Sequence, residues 1–254
     1  MMIKYLYSKI KTQFDIPKLQ SHRGFWYSDQ SLQNTLKSIQ KAYEHNYQMC
    51  EFDVRLTADK WAVLYHDEDI VDKNQSSQFV HSVSYNQLNQ IKPIDSLEDV
   101  FIWYKTIIDR NEKKFNLNIE IKSKYVFNRD LEKEVVRLIE KFGLESFVII
   151  SSFNPMSLYY FRKTKPEIFR ALLLTMNNEF KNNFIIKSQI LNLLAKPHFL
   201  HLDEKHWRMK KYKKLMKLKV PIVLWTCNDL GRIKTYFDQG VTSVITDQIT
   251  PNDL

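Results

Sequence analysis

Residues 50–70 read CEFDVRLTADKWAVLYHDEDI, and two features of this stretch need an explanation. Glu51 and Asp53 lie one residue apart in a run that is typical of a β-strand, and His66 ends the next apolar run. Side chains at alternate positions share one face of a strand, so the two carboxylates point the same way. Charged groups in a buried strand are costly unless something pairs with them. Either this strand is an exposed edge, or Glu51 and Asp53 bind something.

Short apolar runs alternate with helix-like stretches along the chain. This order is typical of parallel strands joined by crossover helices. It predicts an α/β fold, a (β/α)8 TIM barrel with a small insertion after the second strand at about 61–95. A doubly wound sheet is the alternative, but no glycine-rich phosphate loop follows the first strand. The predicted strands are 18–23, 48–54, 116–122, 146–152, 168–174, 197–202, 220–226 and 242–246, and the predicted helices are 31–45, 96–110, 128–142, 154–163, 183–193, 203–217 and 229–239.

Composition places the chain among soluble globular proteins. Of its 254 residues, 44% are hydrophobic and 26% are charged, and no shift in composition divides them, so a single domain over residues 1–254 is expected. The net charge of +9 favours an anionic partner, such as a phosphate-containing substrate. The lysine-rich run at 207–219 is interpreted as an exposed helix face.

Cysteine usage and the N-terminal sequence bear on the compartment. Cys50 and Cys227 each lie in a strand-like apolar run, which favours buried free thiols over a disulfide. The N-terminal stretch lacks the apolar region and cleavage site of a signal peptide, and no apolar run is long enough to span a membrane. We expect a cytoplasmic protein with no transmembrane segment and at most weak peripheral contact between an N-terminal amphipathic helix and a membrane. The oligomeric state is left open.

A second acidic position lies on the next predicted barrel strand. In LNIEIK, residues 117–122, the side chains of Asn118, Glu120 and Lys122 share one face. In a barrel the polar face points inward, so Glu120 is expected to converge with Glu51 and Asp53. Three bare carboxylates repel one another, and a divalent cation relieves this repulsion. Oxygen ligands without cysteine favour Mg²⁺ or Ca²⁺.

Two histidines lie at the ends of predicted strands, on the barrel face where active sites lie. His22 ends the first strand, and His66 ends the extra strand of the insertion. Two histidines beside one divalent metal suit phosphodiester cleavage, in which one removes a proton from the nucleophile and the other protonates the leaving alkoxide. Arg23 is placed to neutralise charge on the phosphoryl oxygens. His201 and Asp203 form a second polar cluster, which is interpreted as a strand end and helix cap.

An ordered set of short motifs resembles the glycerophosphodiester phosphodiesterase family over roughly residues 18–250. The resemblance implies a TIM barrel with Glu51, Asp53 and Glu120 as metal ligands and with His22 and His66 as the acid/base pair. It implies further that Arg23 and Lys122 bind the phosphate and that Trp225 lines the glycerol side of the pocket. The motifs are HRG (22–24), QNTL (33–36), EFDVRLTAD (51–59), VLYHD (63–67), NIEIK (118–122), SSFNP (151–155), VLWTCND (223–229) and VITD (244–247).

The sequence departs from the family pattern around this set. Gln33 replaces a glutamate, Asn46 and Lys60 replace glycines, and Asp72 lies near the place of an arginine that usually follows the HD motif. These positions leave the proposed catalytic groups intact and bear on which substrate is used.

The resulting prediction is a metal-dependent phosphodiesterase that splits a small glycerophosphodiester into sn-glycerol 3-phosphate and an alcohol. One alternative is attack by the substrate's own hydroxyl, which gives a cyclic phosphate as in phospholipase-D-like toxins. The other is a basic, non-enzymatic module that binds anionic lipid or nucleic acid. Such a module has no use for three converging carboxylates, so no nucleic acid partner is expected. The alcohol is not specified.

Overall fold

The computed structural model describes residues 14–72, 75–110, 113–123, 127–175, 194–207 and 220–254. The strands in these ranges are β1 (Leu19–His22), β2 (Met49–Leu56), β3 (Ala62–Leu64), β4 (Asp69–Val71), β5 (Ser77–Phe79), β6 (Asn116–Ile121), β7 (Val148–Ser152), β8 (Phe169–Leu174), β9 (Phe199–Asp203), β10 (Ile222–Trp225) and β11 (Ser243–Thr246). The helices are α1 (Leu36–Glu44), α2 (Tyr85–Ile91), α3 (Leu97–Arg110), α4 (Asp130–Phe142), α5 (Pro155–Thr164) and α6 (Leu230–Asp238).

Eight of the described strands close into a parallel barrel. Their order is β1, β2, β6, β7, β8, β9, β10 and β11, and β1 pairs in parallel with both β2 and β11. The predicted (β/α)8 barrel is therefore confirmed, with each predicted barrel strand within about two residues of its observed position. The predicted helix at 183–193, residues 208–219 of the lysine-rich run and most of the N-terminal stretch lie outside the described residues. In the described part of the chain, every helix is too short or too polar to cross a bilayer.

Between β2 and β6 the chain leaves the barrel repeat, as predicted. Strand β3 pairs antiparallel with the second half of β2, with Val54 opposite Leu64. The strand is shorter than the predicted run at 61–66, and a two-stranded sheet of β4 and β5 follows it. Val63, Ile70, Val80 and Leu88 form a small apolar core under this insertion. The insertion therefore has a packed interior of its own, carried on the edge of β2.

Strand parity decides what faces the helices and what faces the barrel axis. On β6, Leu117, Ile119 and Ile121 belong to the main hydrophobic core, together with Phe101 of α3. Burying each such side chain contributes about 1.5–3 kcal/mol. The barrel interior is apolar at its amino end, where Met49, Ile149, Ala171 and Phe199 pack together. The polar side chains that point into the barrel therefore lie in its middle and at its carboxyl end.

Local signals fix where the helices begin. Helix α1 begins later than the predicted 31–45, because Thr35 and Ser38 form a reciprocal capping box at its start. Asn154 caps α5, whose first position is Pro155, and Asp229 caps α6. These caps place the helix starts directly after the barrel strands, at the end where the polar side chains gather.

The two cysteines are free and buried, as predicted. Burial raises the pKa of the Cys50 thiol to about 12, which keeps it protonated and unreactive. The cytoplasmic location stays a prediction.

The middle of the barrel holds polar side chains, and one of them is a histidine. Gln20 donates to Ser243 at 3.1 Å, and Asn118 donates to Gln20 at 3.0 Å. His201 is completely buried, and neither of its ring nitrogens has a hydrogen-bond partner among the described residues. Burial lowers the pKa of His201 to about 3, so the folded protein holds this ring neutral.

Replacing His201 with leucine is expected to make the protein less sensitive to acid. The pKa of His201 is about 3 in the folded protein, below the value of about 6.5 for an unfolded histidine. The unfolded chain therefore binds the extra proton, and the contribution of His201 to the free energy of unfolding falls by about 1.4 kcal/mol per pH unit below about 6.5. Leucine removes this contribution, so His201→Leu should gain stability relative to wild type between pH 7 and pH 5.

Urea unfolding at pH 7 and pH 5 measures this difference. His81→Leu, at an exposed histidine, is the matched control and should follow the wild type. An identical pH dependence in wild type and His201→Leu would contradict the assignment.

Candidate active site

Three carboxylates converge at the carboxyl end of the barrel. Asp53 and Glu120 are direct partners in the register between β2 and β6, and Glu51 precedes Asp53 by two residues on the same face. One oxygen from each lies within 4.8 Å of the others, and all three residues are buried. The convergence predicted from strand parity is therefore present.

The electrostatics of this cluster fit a bound cation. Burial raises the pKa of Glu51, and the neighbouring carboxylates of Asp53 and Glu120 raise it further. Burial raises the pKa of Glu120 to about 7, even with Lys122 beside it. Two of the three acids are thus held in an environment that disfavours their charge. A hard divalent cation would remove that penalty, and an all-oxygen donor set suits Mg²⁺ or Ca²⁺.

Two basic side chains reach the same acids. The Nζ of Lys122 lies 3.0 Å from Asp53 Oδ1 and 2.7 Å from Glu120 Oε1, and the Nε of Arg23 lies 3.3 Å from Asp53 Oδ2. Burial raises the pKa of Asp53, but Lys122 and Arg23 outweigh it and hold that pKa well below the ordinary range. Asp53 is therefore the permanently ionised member of the three.

Gln33, which departs from the family pattern, contacts one of these basic groups. Its side-chain oxygen accepts a hydrogen bond from Nη1 of Arg23 at 2.9 Å. A glutamine oxygen can accept this bond as a glutamate oxygen does, but without a negative charge. The guanidinium consequently keeps its position while the site carries one negative charge fewer than a glutamate would give it.

The turn that follows β1 explains why glycine stands in HRG. Arg23 and Gly24 both have positive φ, at 53° and 85°, which only glycine adopts without strain. A Cβ on Gly24 would lie 2.0 Å from Oγ of Ser38, so a side chain has no room there. This tight turn directs the backbone N–H of Arg23 to Oε2 of Glu51, at 3.1 Å.

Asn34 is a site residue that strand parity did not reveal. Its amide nitrogen donates to Asp53 Oδ2 at 2.8 Å, and its amide oxygen accepts from the backbone N–H of Asp53 at 2.9 Å. Asn34 reaches this place through a positive φ of 55°, a conformation that asparagine tolerates better than most residues. The available signal was the QNTL motif, from which only Gln33 was singled out.

His22 lies beside the carboxylates and is oriented by an acid that was not predicted. Its Nδ1 is 2.7 Å from Oδ1 of Asp247, which follows the last barrel strand, and its Nε2 is 3.9 Å from Oε2 of Glu51. Burial raises the pKa of Asp247, but the hydrogen bond with His22 outweighs it and lowers that pKa below the ordinary value. Asn228 donates to the other oxygen of Asp247 at 2.7 Å. The position of Asp247 in VITD, at a barrel strand end, was the signal for it.

His66 lies near Lys122 and Asp53, at the end of the segment that follows β3. Its Nδ1 is 2.7 Å from Oδ1 of Asp67, and its side chain is 40% exposed. Burial lowers the pKa of His66, and the nearby Lys122 ammonium lowers it further. The backbone N–H of Tyr65 donates to the carbonyl oxygen of Asp53 at 3.1 Å, so the residue that precedes His66 is bonded to the strand that carries the acids.

Trp225 lies at the end of β10, and its role in lining the glycerol side of the pocket stays a prediction. The ring of Phe153, from the end of β7, meets it edge-on with centroids 5.6 Å apart. The indole Nε1 is buried and has no hydrogen-bond partner in the described residues.

The second polar cluster contains a cap at a strand end, as interpreted. Asp203 accepts hydrogen bonds from Oγ1 of Thr175 at 2.8 Å and from the backbone N–H of Lys205 at 3.0 Å. It thereby caps the short helical turn Glu204–His206. His201 lies deeper in the barrel and is enclosed.

Two other departures from the family pattern have a backbone explanation. Asn46 and Lys60 have positive φ values of 65° and 68°. A glycine would adopt this conformation without cost, so these turns keep their geometry with residues that tolerate it less well. Both residues lie in turns next to β2, which carries Glu51 and Asp53.

Known proteins are similar to this chain in sequence and in fold. The chain is 31% identical over 169 residues to the uncharacterized protein YqiK of Bacillus subtilis, an alignment that covers 61% of this chain and 66% of YqiK. It is 27% identical to a glycerophosphodiester phosphodiesterase of Caldanaerobacter subterraneus, over 89% of this chain and 92% of that protein. Its fold matches an Oleispira antarctica phosphodiesterase, solved with the product sn-glycerol-3-phosphate, with a TM-score of 0.71, 19% identity and 95% coverage of both chains.

The family profile decides the assignment. The profile described as the glycerophosphoryl diester phosphodiesterase family matches residues 22–250, which include every predicted site residue from His22 to Trp225. The resemblance inferred from the motifs is thereby confirmed over almost the whole chain, and this chain belongs to the glycerophosphoryl diester phosphodiesterase family.

Proposed function

We propose that this protein is a metal-dependent hydrolase that splits a small glycerophosphodiester into sn-glycerol 3-phosphate and an alcohol. The observation that carries the proposal is the convergence of three buried carboxylates, flanked by His22 and His66, at the carboxyl end of the barrel. Membership of the family and the product bound to the Oleispira antarctica relative support it. A basic binding module would gain nothing from carboxylates that repel phosphate.

Glu51, Asp53 and Glu120 are the groups that would hold Mg²⁺ or Ca²⁺. The bound cation would neutralise charge on a phosphoryl oxygen and make the phosphorus more electrophilic. Arg23 and Lys122, which lie against the same acids, would bind the remaining phosphoryl oxygens. Together these groups stabilise the charge that builds up as a nucleophile adds to phosphorus.

The two histidines supply proton transfer on opposite sides of the phosphate. Asp247 holds Nδ1 of His22, which leaves Nε2 directed toward Glu51 and available to accept the proton of the nucleophile. Asp67 holds Nδ1 of His66 at 2.7 Å and stabilises the doubly protonated ring, whose Nε2–H would donate its proton to the leaving alkoxide. We assign His66 as the acid because the insertion that carries it can reach over the leaving-group side.

Trp225 and Phe153 form the wall that we assign to the glycerol moiety. The rings lie edge to face, and the unpartnered indole N–H can donate to a glycerol hydroxyl. A buried donor that lacks a partner costs free energy, so a hydroxyl at this point would be favoured over a hydrogen.

Replacing Glu51 with glutamine is expected to lower metal affinity and activity by at least about 100-fold, because one anionic ligand is lost. Metal-free Glu51→Gln should meanwhile melt at or above the wild-type temperature at pH 8. The folded-state pKa of Glu51 is raised, so its ionised form destabilises the metal-free protein as the pH increases. Calorimetric titration with Mg²⁺ or Ca²⁺, together with thermal melts in EDTA, separates loss of ligation from loss of fold.

Glu44→Gln, on the exposed face of α1, is the matched control and should keep full activity. Full wild-type activity in excess EDTA, with metal shown to be absent by elemental analysis, would refute the metal requirement.

Alanine at His22 or His66 should lower kcat by about 10²–10⁴ on a glycerophosphodiester of an alkyl alcohol, which is the usual effect of removing a proton donor or acceptor. A diester with an acidic phenol leaves without protonation, so it should restore the rate of His66→Ala and not that of His22→Ala. Steady-state kinetics with both substrates measure the contrast, and His45→Ala, at an exposed histidine, is the control.

Rescue of His22→Ala instead would reverse the two roles. Near wild-type rates in both alanine variants on the alkyl diester would rule out the two-histidine mechanism.

The same site could direct a hydroxyl of the glycerol moiety at phosphorus, which would release a cyclic phosphate. Phosphorus NMR of the initial products distinguishes the routes, because a five-membered cyclic diester resonates well downfield of a monoester. We expect only the monoester, with ¹⁸O from labelled water incorporated into it. If a cyclic product forms first, the reaction proceeds by intramolecular transfer and not by direct hydrolysis.

A further inference from the structure

We infer that Arg55 is a positioning residue that fixes His66 over the acidic cluster. The inference rests on the catalytic role proposed above for His66, and it concerns a residue that the sequence motifs did not single out. Arg55 lies two residues after Asp53 on β2, so its side chain leaves the strand on the same face, one step nearer the rim.

The contacts of Arg55 are directed at the backbone of the residue that carries the imidazole. Its Nε and Nη2 both donate to the carbonyl oxygen of His66, at 2.9 and 2.8 Å. Its Nη1 lies 3.5 Å from the carbonyl oxygen of Lys122, at the end of β6. One guanidinium thus links the insertion to β6. It contacts the backbone of His66, which is assigned to the leaving group, and that of Lys122, which is assigned to the phosphate.

The place of this contact in the sheet shows why it matters. The antiparallel ladder between β2 and β3 ends with Val54 opposite Leu64, and the last backbone bond beyond it comes from Tyr65. His66 follows directly, and it opens the exposed loop that leads to β4. The Arg55 side chain holds the peptide unit of His66 at the point where the ladder stops. Removing that side chain therefore leaves the backbone of His66 without this anchor.

The charge environment keeps this guanidinium in place. Burial lowers the pKa of Arg55, while the carboxylates of Asp53, Glu68 and Glu120 raise it. Arginine remains a cation under these conditions, and its planar fork can direct two N–H groups at one carbonyl. A lysine could make only one such bond, from a flexible stem, so the arrangement uses a property specific to arginine.

Arg55 also lines a pocket beside Lys122, together with Thr57, Glu68 and His81. Direct contact with the substrate is therefore the competing explanation, and the two explanations differ in kinetics. A residue that acts through His66 loses its effect when the imidazole is absent, whereas a residue that binds substrate keeps its effect.

The test is a double-mutant cycle of Arg55→Met and His66→Ala on an alkyl glycerophosphodiester, with the metal-loaded full chain. Arg55→Met alone should lower kcat by about 10–10²-fold, the usual effect of misplacing a catalytic group by about 1 Å, with KM changed less than about threefold. In the His66→Ala background the same substitution should change kcat less than about threefold. A diester of an acidic phenol needs no proton donor. With this substrate, the loss of kcat in Arg55→Met should shrink in the same proportion as the loss of kcat in His66→Ala.

Two further variants protect the result against misfolding. Arg55→Lys preserves the charge and should recover part of kcat, and Arg137→Met, at a half-exposed arginine on α4, should have wild-type kinetics. Metal affinity measured by calorimetry should be the same in wild type and in Arg55→Lys, which shows that the acidic cluster is intact.

Losses that multiply in the double mutant, or an effect confined to KM, would overturn the inference and make Arg55 a substrate-binding residue. A wild-type rate in His66→Ala alone would instead refute the proposed role of His66, whatever the behaviour of Arg55.

Discussion

The candidate active site depends on keeping Asp53 ionised inside the protein. Its side chain is almost fully enclosed, and burial alone would favour the protonated acid. Lys122, Arg23 and the amide of Asn34 reverse this preference, because each donates to or pairs with the carboxylate. These three residues come from three separate segments, namely the end of β1, the end of β6 and the loop before α1. The Asp53 carboxylate therefore contacts all three segments.

This arrangement separates the three acids by protonation. Glu51 and Glu120 have raised pKa values, whereas Asp53 has a lowered one, although the three share one small volume. Two groups that tend to be neutral and one that is always charged present less repulsion than three anions would. The site can therefore fold before a cation arrives and can still offer three oxygens to one, which suits exchange of a metal that is held by oxygen ligands alone.

Much of this site follows from strand parity, and the remainder does not. The alternation in EFD and NIEIK is enough to place Glu51, Asp53 and Glu120 on the inner face, and the alternation of strands and helices is enough to predict the barrel. Asn34 and Asp247 act through contacts that depend on a turn with positive φ and on closure of the barrel between its first and last strands. Such contacts join residues that are far apart in the sequence, so the periodicity of a single strand or helix does not predict them. The hydrogen bonds from the Arg55 side chain to backbone carbonyls cannot be read from the sequence for the same reason.

Closure of the barrel through β1 and β11 has a consequence for synthesis of the protein. The strand that carries His22 is translated first among the barrel strands, and the carboxylate that orients this histidine belongs to residue 247, after the last one. Glu51, Asp53 and Glu120 lie on β2 and β6, which are synthesised long before Asp247. A chain that lacks its last strand therefore has all three carboxylates but not the acid that orients His22, so the proposed catalysis needs the final strand whereas the proposed cation ligands do not.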